Sequence, residues 1–162
     1  MLPTGPAALR PARLLALLLP AALLGGAYLS QYGFGLYPCE MCWWQRYPHF
    51  AALVLAGIGF AVPSARWPVA LAALAIGLSG LIGGFHAGVE YHWWEGVTRC
   101  TSMAAPGADA LKSILDAPLI RCDQAQWTLA GVSLAGFNFL FSTVGALVIG
   151  MLLARSRKGW PA

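Results

Sequence analysis

The sequence predicts an all-α membrane protein: a bundle of four transmembrane helices with two periplasmic loops, the second carrying a short amphipathic helix. Of its 162 residues, 59% are hydrophobic and only 10% are charged, whereas soluble domains carry about 25% charged residues. Four apolar stretches are long enough to cross a hydrocarbon core, which takes about 20 residues. They cover 14–34, 43–62, 69–88 and 129–153, and the whole chain, 1–162, is predicted to be one membrane domain.

The distribution of basic residues orients this bundle. The two terminal segments and the 63–68 turn hold six of the ten basic residues and none of the six acidic ones. Cytoplasmic segments of membrane proteins are rich in lysine and arginine, so both termini are predicted to be cytoplasmic and loops 35–42 and 89–128 to face outward. The net charge of +4 does not indicate nucleic acid, because the basic residues are scattered beside apolar stretches.

The first apolar stretch has an alternative interpretation as a signal peptide, since Arg10 and Arg13 precede it and residues 25–27 resemble a cleavage site. Its length exceeds the about 7–15 residues of a signal peptide's apolar region, which favours a transmembrane helix. Pro20 is predicted to kink that helix.

Three later features complete the prediction of the bundle. Small residues in the third stretch let helix backbones approach closely. Apolar residues recur with helical spacing between 111 and 119, which predicts an amphipathic helix lying either on the membrane surface or on the protein. Asn138, in the fourth stretch, is predicted to form hydrogen bonds between helices.

Four cysteines, Cys39, Cys42, Cys100 and Cys122, all lie in the two outward loops. An oxidising exterior favours disulfides, and the Cys-x-x-Cys spacing favours Cys39–Cys42, which leaves Cys100–Cys122 as the second pair. Structural disulfides, a zinc site and redox catalysis are the three interpretations. A zinc site normally has two close pairs of ligands, and a ring as small as Cys-x-x-Cys adds little stability. These points favour redox catalysis.

The residues that follow Cys42 also favour redox chemistry. Cys42 begins the second apolar stretch, where free backbone N–H groups and the helix dipole favour an anion. Arg46 lies one helical turn later and is always charged. Both features favour a thiolate, although an arginine at this depth can instead extend toward the membrane surface.

A dithiol that becomes a disulfide needs an acceptor for two electrons. The chain has no nucleotide-binding glycine pattern and no c-type haem motif. Aromatic residues at the predicted membrane boundary could stack on a membrane quinone, ubiquinone or menaquinone, while Arg46 hydrogen-bonds a carbonyl oxygen of its ring. The same aromatic residues, Trp43, Trp44, Tyr47 and Phe50, could also form an ordinary interfacial belt.

These motifs resemble the DsbB family of membrane disulfide-generating oxidoreductases. The resemblance covers nearly the whole chain and rests on PCEMCWWQR in the first loop, the cysteine pair in the second, and CDQAQW before the last stretch. The segment FHAGVEYHWWEG resembles an alphaproteobacterial-type subgroup. The resemblance implies a multi-pass protein of the bacterial inner membrane whose redox cysteines lie on the periplasmic side.

The resemblance also implies a path for the electrons. A reduced periplasmic thioredoxin-fold oxidase of the DsbA type attacks Cys100 of a Cys100–Cys122 disulfide, and the released Cys122 attacks Cys39. Cys42 then donates to a quinone held near Arg46. All four cysteines are thereby implied to be catalytic.

A histidine near the end of the third stretch is implied to help bind the quinone. His86, with Glu90 one turn later as its partner, and His92 are the candidates. Gln45 stands where the well-studied form has an acid, so no acid–base role is assigned to it.

Two other functions compete with this interpretation. One is a quinone-linked thiol enzyme resembling the vitamin K epoxide reductase family, which places its Cys-x-x-Cys late in the bundle and not early, as here. The other is a non-enzymatic membrane scaffold with two structural disulfides.

Overall fold

Four long helices dominate the computed structural model, which describes residues 6–98 and 120–157. They are α1 (Pro6–Gly33), α2 (Glu40–Ala61), α3 (Trp67–Glu90) and α4 (Leu134–Arg157). Two short antiparallel strands, β1 (Thr128–Leu129) and β2 (Val132–Ser133), precede α4. The amphipathic helix predicted between 111 and 119 lies outside the described residues.

The helices pack as a bundle in which α1 and α3 each lie between α2 and α4, and the contact between α3 and α4 is the most extensive. Small and β-branched side chains fill its apolar core, among them Ala16, Ala56, Ala72, Ile76 and Ile149. Large apolar side chains cover the outside, among them Leu18, Leu74, Leu81, Val144 and Leu147. An apolar exterior around a tightly packed interior is suited to lipid.

Three of the described helices are long and apolar enough to cross a membrane: Ala7–Gly33, Trp67–Glu90 and Leu134–Ser156. The prediction of a mostly helical protein with membrane-spanning helices is confirmed. The helix α2 does not reach the same hydropathy, because Gln45, Arg46 and His49 interrupt its apolar residues. The count of four spans therefore stays a prediction.

The helices begin and end at residues that differ from the predicted limits. The helix α1 starts at Pro6 and continues through Pro11 and Pro20, so the helix is longer than its apolar stretch, and the kink at Pro20 stays a prediction. The helix α4 starts at Leu134 because a hairpin turn precedes it, with positive φ at Ala130 (51°) and Gly131 (79°). A two-residue hairpin turn of this kind needs positive φ at both positions.

Glycines of α3 set its distance from α4. A Cβ atom on Gly80 would lie 3.1 Å from the backbone nitrogen of Thr143, closer than side chains normally approach a backbone. A Cβ atom on Gly77, one turn earlier, would lie 3.5 Å from the Cβ of Ala146, an ordinary contact. The predicted close packing of the third stretch therefore depends on particular glycines.

We expect Gly80→Ala to lower the free energy of unfolding by about 1 kcal/mol or more. Overpacking costs about 1–3 kcal/mol, which exceeds the gain of up to about 1 kcal/mol in helix propensity. Gly77→Ala is the matched control and should be neutral or stabilising. The measurement is equilibrium unfolding of the purified protein in mixed micelles, followed by circular dichroism; equal stabilities of the two variants would contradict the packing argument.

Candidate functional site

Cys39 and Cys42 lie where the first loop enters α2. Cys39 is the N-cap residue of this helix, and its Sγ accepts a hydrogen bond of 3.3 Å from the backbone N–H of Cys42. The two sulfur atoms are 3.1 Å apart, and both residues are free thiols in the structure. The structure thus describes this pair in its reduced form, and the disulfide Cys39–Cys42 stays a prediction.

The two thiols of the pair do not ionise equally. The hydrogen bond between the side chains of Cys39 and Cys42, together with burial, raises the pKa of the Cys39 thiol well above its ordinary value. In the reduced pair Cys39 therefore keeps its proton. The sulfur of Cys42 is then the one available as a nucleophile.

Cys122, which is distant in sequence, lies beside Cys39. It is disulfide-bonded and packs in one apolar cluster with Cys39, Met41 and Val89. The Sγ atoms of Cys39 and Cys122 and a ring nitrogen of His86 all lie within 4.8 Å of one another. One cysteine from each loop therefore reaches the same point of the structure.

Cys100, the predicted partner of Cys122, lies outside the described residues. The pairing Cys100–Cys122 therefore stays a prediction.

Arg46 is buried and reaches across to α1. Its guanidinium donates hydrogen bonds to Gln31 Oε1 at 2.7 Å and to the carbonyl oxygen of Ala27 at 3.3 Å. It also lies over the rings of Tyr28 and Trp43, 4.9 Å from each ring centre. Only 6% of Arg46 is exposed, whereas a snorkelling arginine keeps its charged group in water. This geometry holds a fixed positive charge inside the bundle.

His86 connects the cysteines to other polar groups inside the bundle. Its Nε2 atom is 3.6 Å from Cys39 Sγ and 3.7 Å from Glu90 Oε1. Its Nδ1 atom is 2.8 Å from Gln45 Nε2. The other candidate histidine, His92, follows the end of α3 in a left-handed conformation with φ of 59°.

Asn138 joins three helices, as its position in an apolar stretch predicts. Its Nδ2 atom donates to Gln45 Oε1 at 2.8 Å and to the carbonyl oxygen of Ser79 at 3.1 Å. Its Oδ1 atom accepts hydrogen bonds from Ser142 Oγ at 2.8 Å and His49 Nε2 at 3.0 Å. A continuous chain of polar groups thus runs from the cysteines into the centre of the bundle.

Four members of this polar chain were not predicted from the sequence. Polar residues inside transmembrane helices commonly face the bundle interior and mark functional pathways, and that rule was the available signal. The members missed are Gln45, His49, Ser79 and Ser142, all of them buried.

A cavity of about 260 Å³ opens beside the cysteine pair. Its wall includes the predicted site residues Cys39, Cys42, Arg46, His86 and Glu90. Apolar residues of α1 and α4 complete the wall, among them Leu23, Leu24, Leu134, Phe137 and Phe141. Mostly apolar cavities with a few placed polar groups are typical of small-molecule sites.

This cavity suits the ring of a quinone. Apolar and aromatic side chains can enclose the ring, and Arg46 has five N–H donors. The two hydrogen bonds to Gln31 and Ala27 occupy two of these donors among the described residues. The remaining donors can therefore serve an oxygen acceptor in the cavity.

Known proteins resemble the chain over nearly its full length. The family model described as disulfide bond formation protein DsbB matches residues 9–152. A disulfide bond formation protein B from Acidovorax sp. (strain JS42) is 30% identical over 164 residues, which cover 93% of this chain and 92% of that protein. Another, from Verminephrobacter eiseniae (strain EF01-2), is 33% identical over 165 residues, covering 92% and 89%. No solved structure matches the chain. These relatives define no subgroup, so the alphaproteobacterial-type resemblance stays a prediction.

Proposed function

Because the chain belongs to the DsbB family of disulfide bond formation proteins, we propose that it reoxidises a periplasmic DsbA-type thioredoxin-fold oxidase and passes the electrons to a membrane quinone. As a member of this family, the protein is a membrane oxidoreductase that acts in disulfide bond formation. One observation carries the finer proposal: Cys39, Cys42 and the buried charge of Arg46 line the same largely apolar cavity. A structural disulfide requires neither the cavity nor the charge.

The proposed relay between the loops starts at the second disulfide. Attack by the partner's thiolate on Cys100 releases Cys122 as a thiolate, which attacks Cys39. A bond forms between the sulfurs of Cys122 and Cys39, the Cys39–Cys42 bond breaks, and Cys42 leaves with the electron pair. The proximity of Cys122 and Cys39, within 4.8 Å in the structure, supports a direct transfer without rearrangement of the bundle.

We propose that the quinone, ubiquinone or menaquinone, binds in the cavity beside Cys42. When bound, the quinone supplies an acceptor for two electrons and two protons. Arg46 donates an N–H group to a ring oxygen and stabilises negative charge there, while the apolar wall excludes water. His86 and Glu90 line the same cavity, so we propose that they border the ring.

We propose that α2 is the fourth membrane span. Its 22 residues correspond to about 33 Å of helix, which matches a hydrocarbon core of about 30 Å. Its polar residues Gln45, Arg46 and His49 are buried and do not face lipid. The lower hydropathy of α2 is thus compatible with a position in the membrane.

We also propose that the bundle lies in the bacterial inner membrane with both termini in the cytoplasm and the cysteines on the periplasmic side. Arginines lie at the end of the bundle opposite the cysteines: Arg13 donates a hydrogen bond to the carbonyl oxygen of Pro63, and Arg66 to that of Ser156. Positive charge at this end supports its cytoplasmic location.

Cysteine variants test the relay. With a reduced DsbA-type partner, the purified protein should reduce a soluble ubiquinone analogue, and Cys122→Ser should abolish this activity. Reduction driven by dithiothreitol, which reaches the first pair directly, should partly survive in Cys122→Ser and disappear in Cys39→Ser. The measurement is the loss of quinone absorbance. Normal oxidation of the partner by Cys122→Ser would exclude the relay. Absence of activity in the wild type would instead favour a non-enzymatic membrane scaffold.

Arginine variants test the quinone site. Loss of a hydrogen bond to a charged group costs about 1.5–3 kcal/mol, so Arg46→Ala should raise the KM for quinone about tenfold to a hundredfold. Arg46→Lys should recover only part of the loss, because an ammonium group lacks the planar fork. Arg66→Ala, at the opposite end of the bundle, is the control and should leave this KM unchanged. An unchanged KM in Arg46→Ala would show that Arg46 does not contribute to quinone binding.

Single cysteines test the orientation. In a variant with all four native cysteines replaced by serine, Ser64→Cys reports on the 63–68 turn and Val97→Cys on the second loop; both positions are exposed. A membrane-impermeant maleimide added to intact spheroplasts should label Val97→Cys at once and Ser64→Cys only after lysis. The reverse pattern would invert the proposed orientation.

A further inference from the structure

Two backbone carbonyl groups determine which atoms donate and which accept in the chain of hydrogen bonds that ends at His86. Gln45 Nε2 lies 3.2 Å from the carbonyl oxygen of Met41, and Asn138 Nδ2 lies 3.1 Å from that of Ser79. A carbonyl oxygen only accepts hydrogen bonds, so each amide must direct its nitrogen toward it. The 2.8 Å hydrogen bond from Asn138 Nδ2 to Gln45 Oε1 agrees with both assignments.

The tautomer of His86 follows from this direction. Because Gln45 Nε2 is a donor, Nδ1 of His86 at 2.8 Å must be the acceptor, and the proton of the neutral ring lies on Nε2. The Nε2–H group faces Cys39 Sγ at 3.6 Å and Glu90 Oε1 at 3.7 Å, with the Sγ of Cys122 also nearby. The ring therefore presents a hydrogen-bond donor where the two cysteine pairs meet.

The same tautomer disfavours a metal ion at this point. Cys39, His86 and Cys122 have a spacing that could hold an ion, but a metal needs the lone pair of the ring nitrogen that faces it. Here that nitrogen carries the proton, and Cys122 is disulfide-bonded. The group that suits this N–H is instead a negatively charged sulfur.

We propose that His86 is a catalytic residue of the thiol transfer itself, whose Nε2–H group stabilises the thiolate at the junction between Cys39 and Cys122. The inference rests on the proposed relay and gives His86 a role in one of its steps, the attack of Cys122 on Cys39. In that step the Cys122 thiolate bonds to Cys39 and Cys42 leaves with the electron pair, so that charge passes along three sulfurs with no net gain of protons or electrons. No oxidant other than the disulfide of the first pair is needed.

Burial gives such a donor its importance. Cys39 is 3% exposed and Cys122 is 4% exposed, so a charge at this point depends on hydrogen-bond donors of the protein. The backbone N–H of Cys42 is one such donor, and the Nε2–H group of His86 is another. The titratable and charged groups around this point are Cys39 at the N-cap of α2, Cys42 and Arg46 of α2, Glu90 of α3, and Arg121 and Cys122 of the second loop. The backbone carbonyl group of Cys122 and the carboxylate of Glu90 can accept the N–H group when no sulfur is charged.

The first test measures ionisation of Cys39 without partner or quinone. In the full-length variant with Cys42, Cys100 and Cys122 all replaced by alanine, Cys39 has no disulfide to exchange with, and its thiolate fraction follows from the pH dependence of alkylation by iodoacetamide. Adding His86→Leu should lower this fraction about tenfold at pH 7. His86→Gln, which keeps an N–H donor near the same position, should stay within about threefold of the parent variant.

His49→Leu is the matched control for this measurement. His49 is also buried and lines the cavity, but its Nε2 atom is hydrogen-bonded to Asn138 and Ser79. Its removal should lower the Cys39 thiolate fraction much less than His86→Leu does, because His49 reaches Cys39 only indirectly, through Asn138, Gln45 and His86. Gln45→Leu is a second variant that keeps the imidazole but removes the donor fixing its tautomer, and it should lower the Cys39 thiolate fraction by less than His86→Leu does.

The second test separates thiol transfer from quinone binding. In the protein with all four cysteines, His86→Leu should lower partner-driven turnover at saturating quinone about tenfold, in step with the loss of Cys39 ionisation. A raised KM with unchanged Cys39 ionisation would make His86 a quinone ligand and overturn the inference, as would no change in either quantity. Failure of the wild type to reduce quinone would instead count against the proposed function, because the alkylation test does not depend on it.

Discussion

Gln45, Ser79 and Asn138 lie on three different helices and turn toward the interior of the bundle, where neither lipid nor water surrounds them. Each of these side chains must therefore bond to another group of the protein. The hydroxyl of Ser79 donates to the carbonyl oxygen of Gln45 at 2.8 Å, and Asn138 bonds to both residues. This requirement fixes which faces of α2, α3 and α4 turn toward one another.

The close approach of the helices follows from the same requirement. A Cβ atom on Gly83 would lie 3.0 Å from Asn138 Nδ2 and 3.1 Å from Gln45 Oε1, so any larger residue would push these two amides out of their present positions. The polar chain then ends at His86 and Cys39, which gives the thiols a rigid support. In a site held this way, a change deep in the bundle can alter chemistry at its end without contacting a sulfur.

Composition was sufficient to predict a helical protein with membrane-spanning helices. The start of α4 was not predictable from apolar content, because Leu129 and Val132 are as apolar in a hairpin as in a helix. The partners of Asn138 were not predictable either, since it and Gln45 are 93 positions apart and their meeting depends on the packing of whole helices. The burial of Arg46 beneath Tyr28 and Trp43 likewise depends on the placement of α1.

The capping of α2 by Cys39 connects secondary structure to the proposed redox step. A side-chain oxygen cap contributes about 1 kcal/mol to the stability of a helix, and a sulfur, which is a weaker acceptor, contributes less. Because a sulfur accepts hydrogen bonds more strongly as a thiol or thiolate than within a disulfide, the first turn of α2 is most stable when the pair is reduced. For a two-electron couple, about 1 kcal/mol corresponds to about 20 mV, so the helix end would shift the reduction potential of the pair upward by less than this amount.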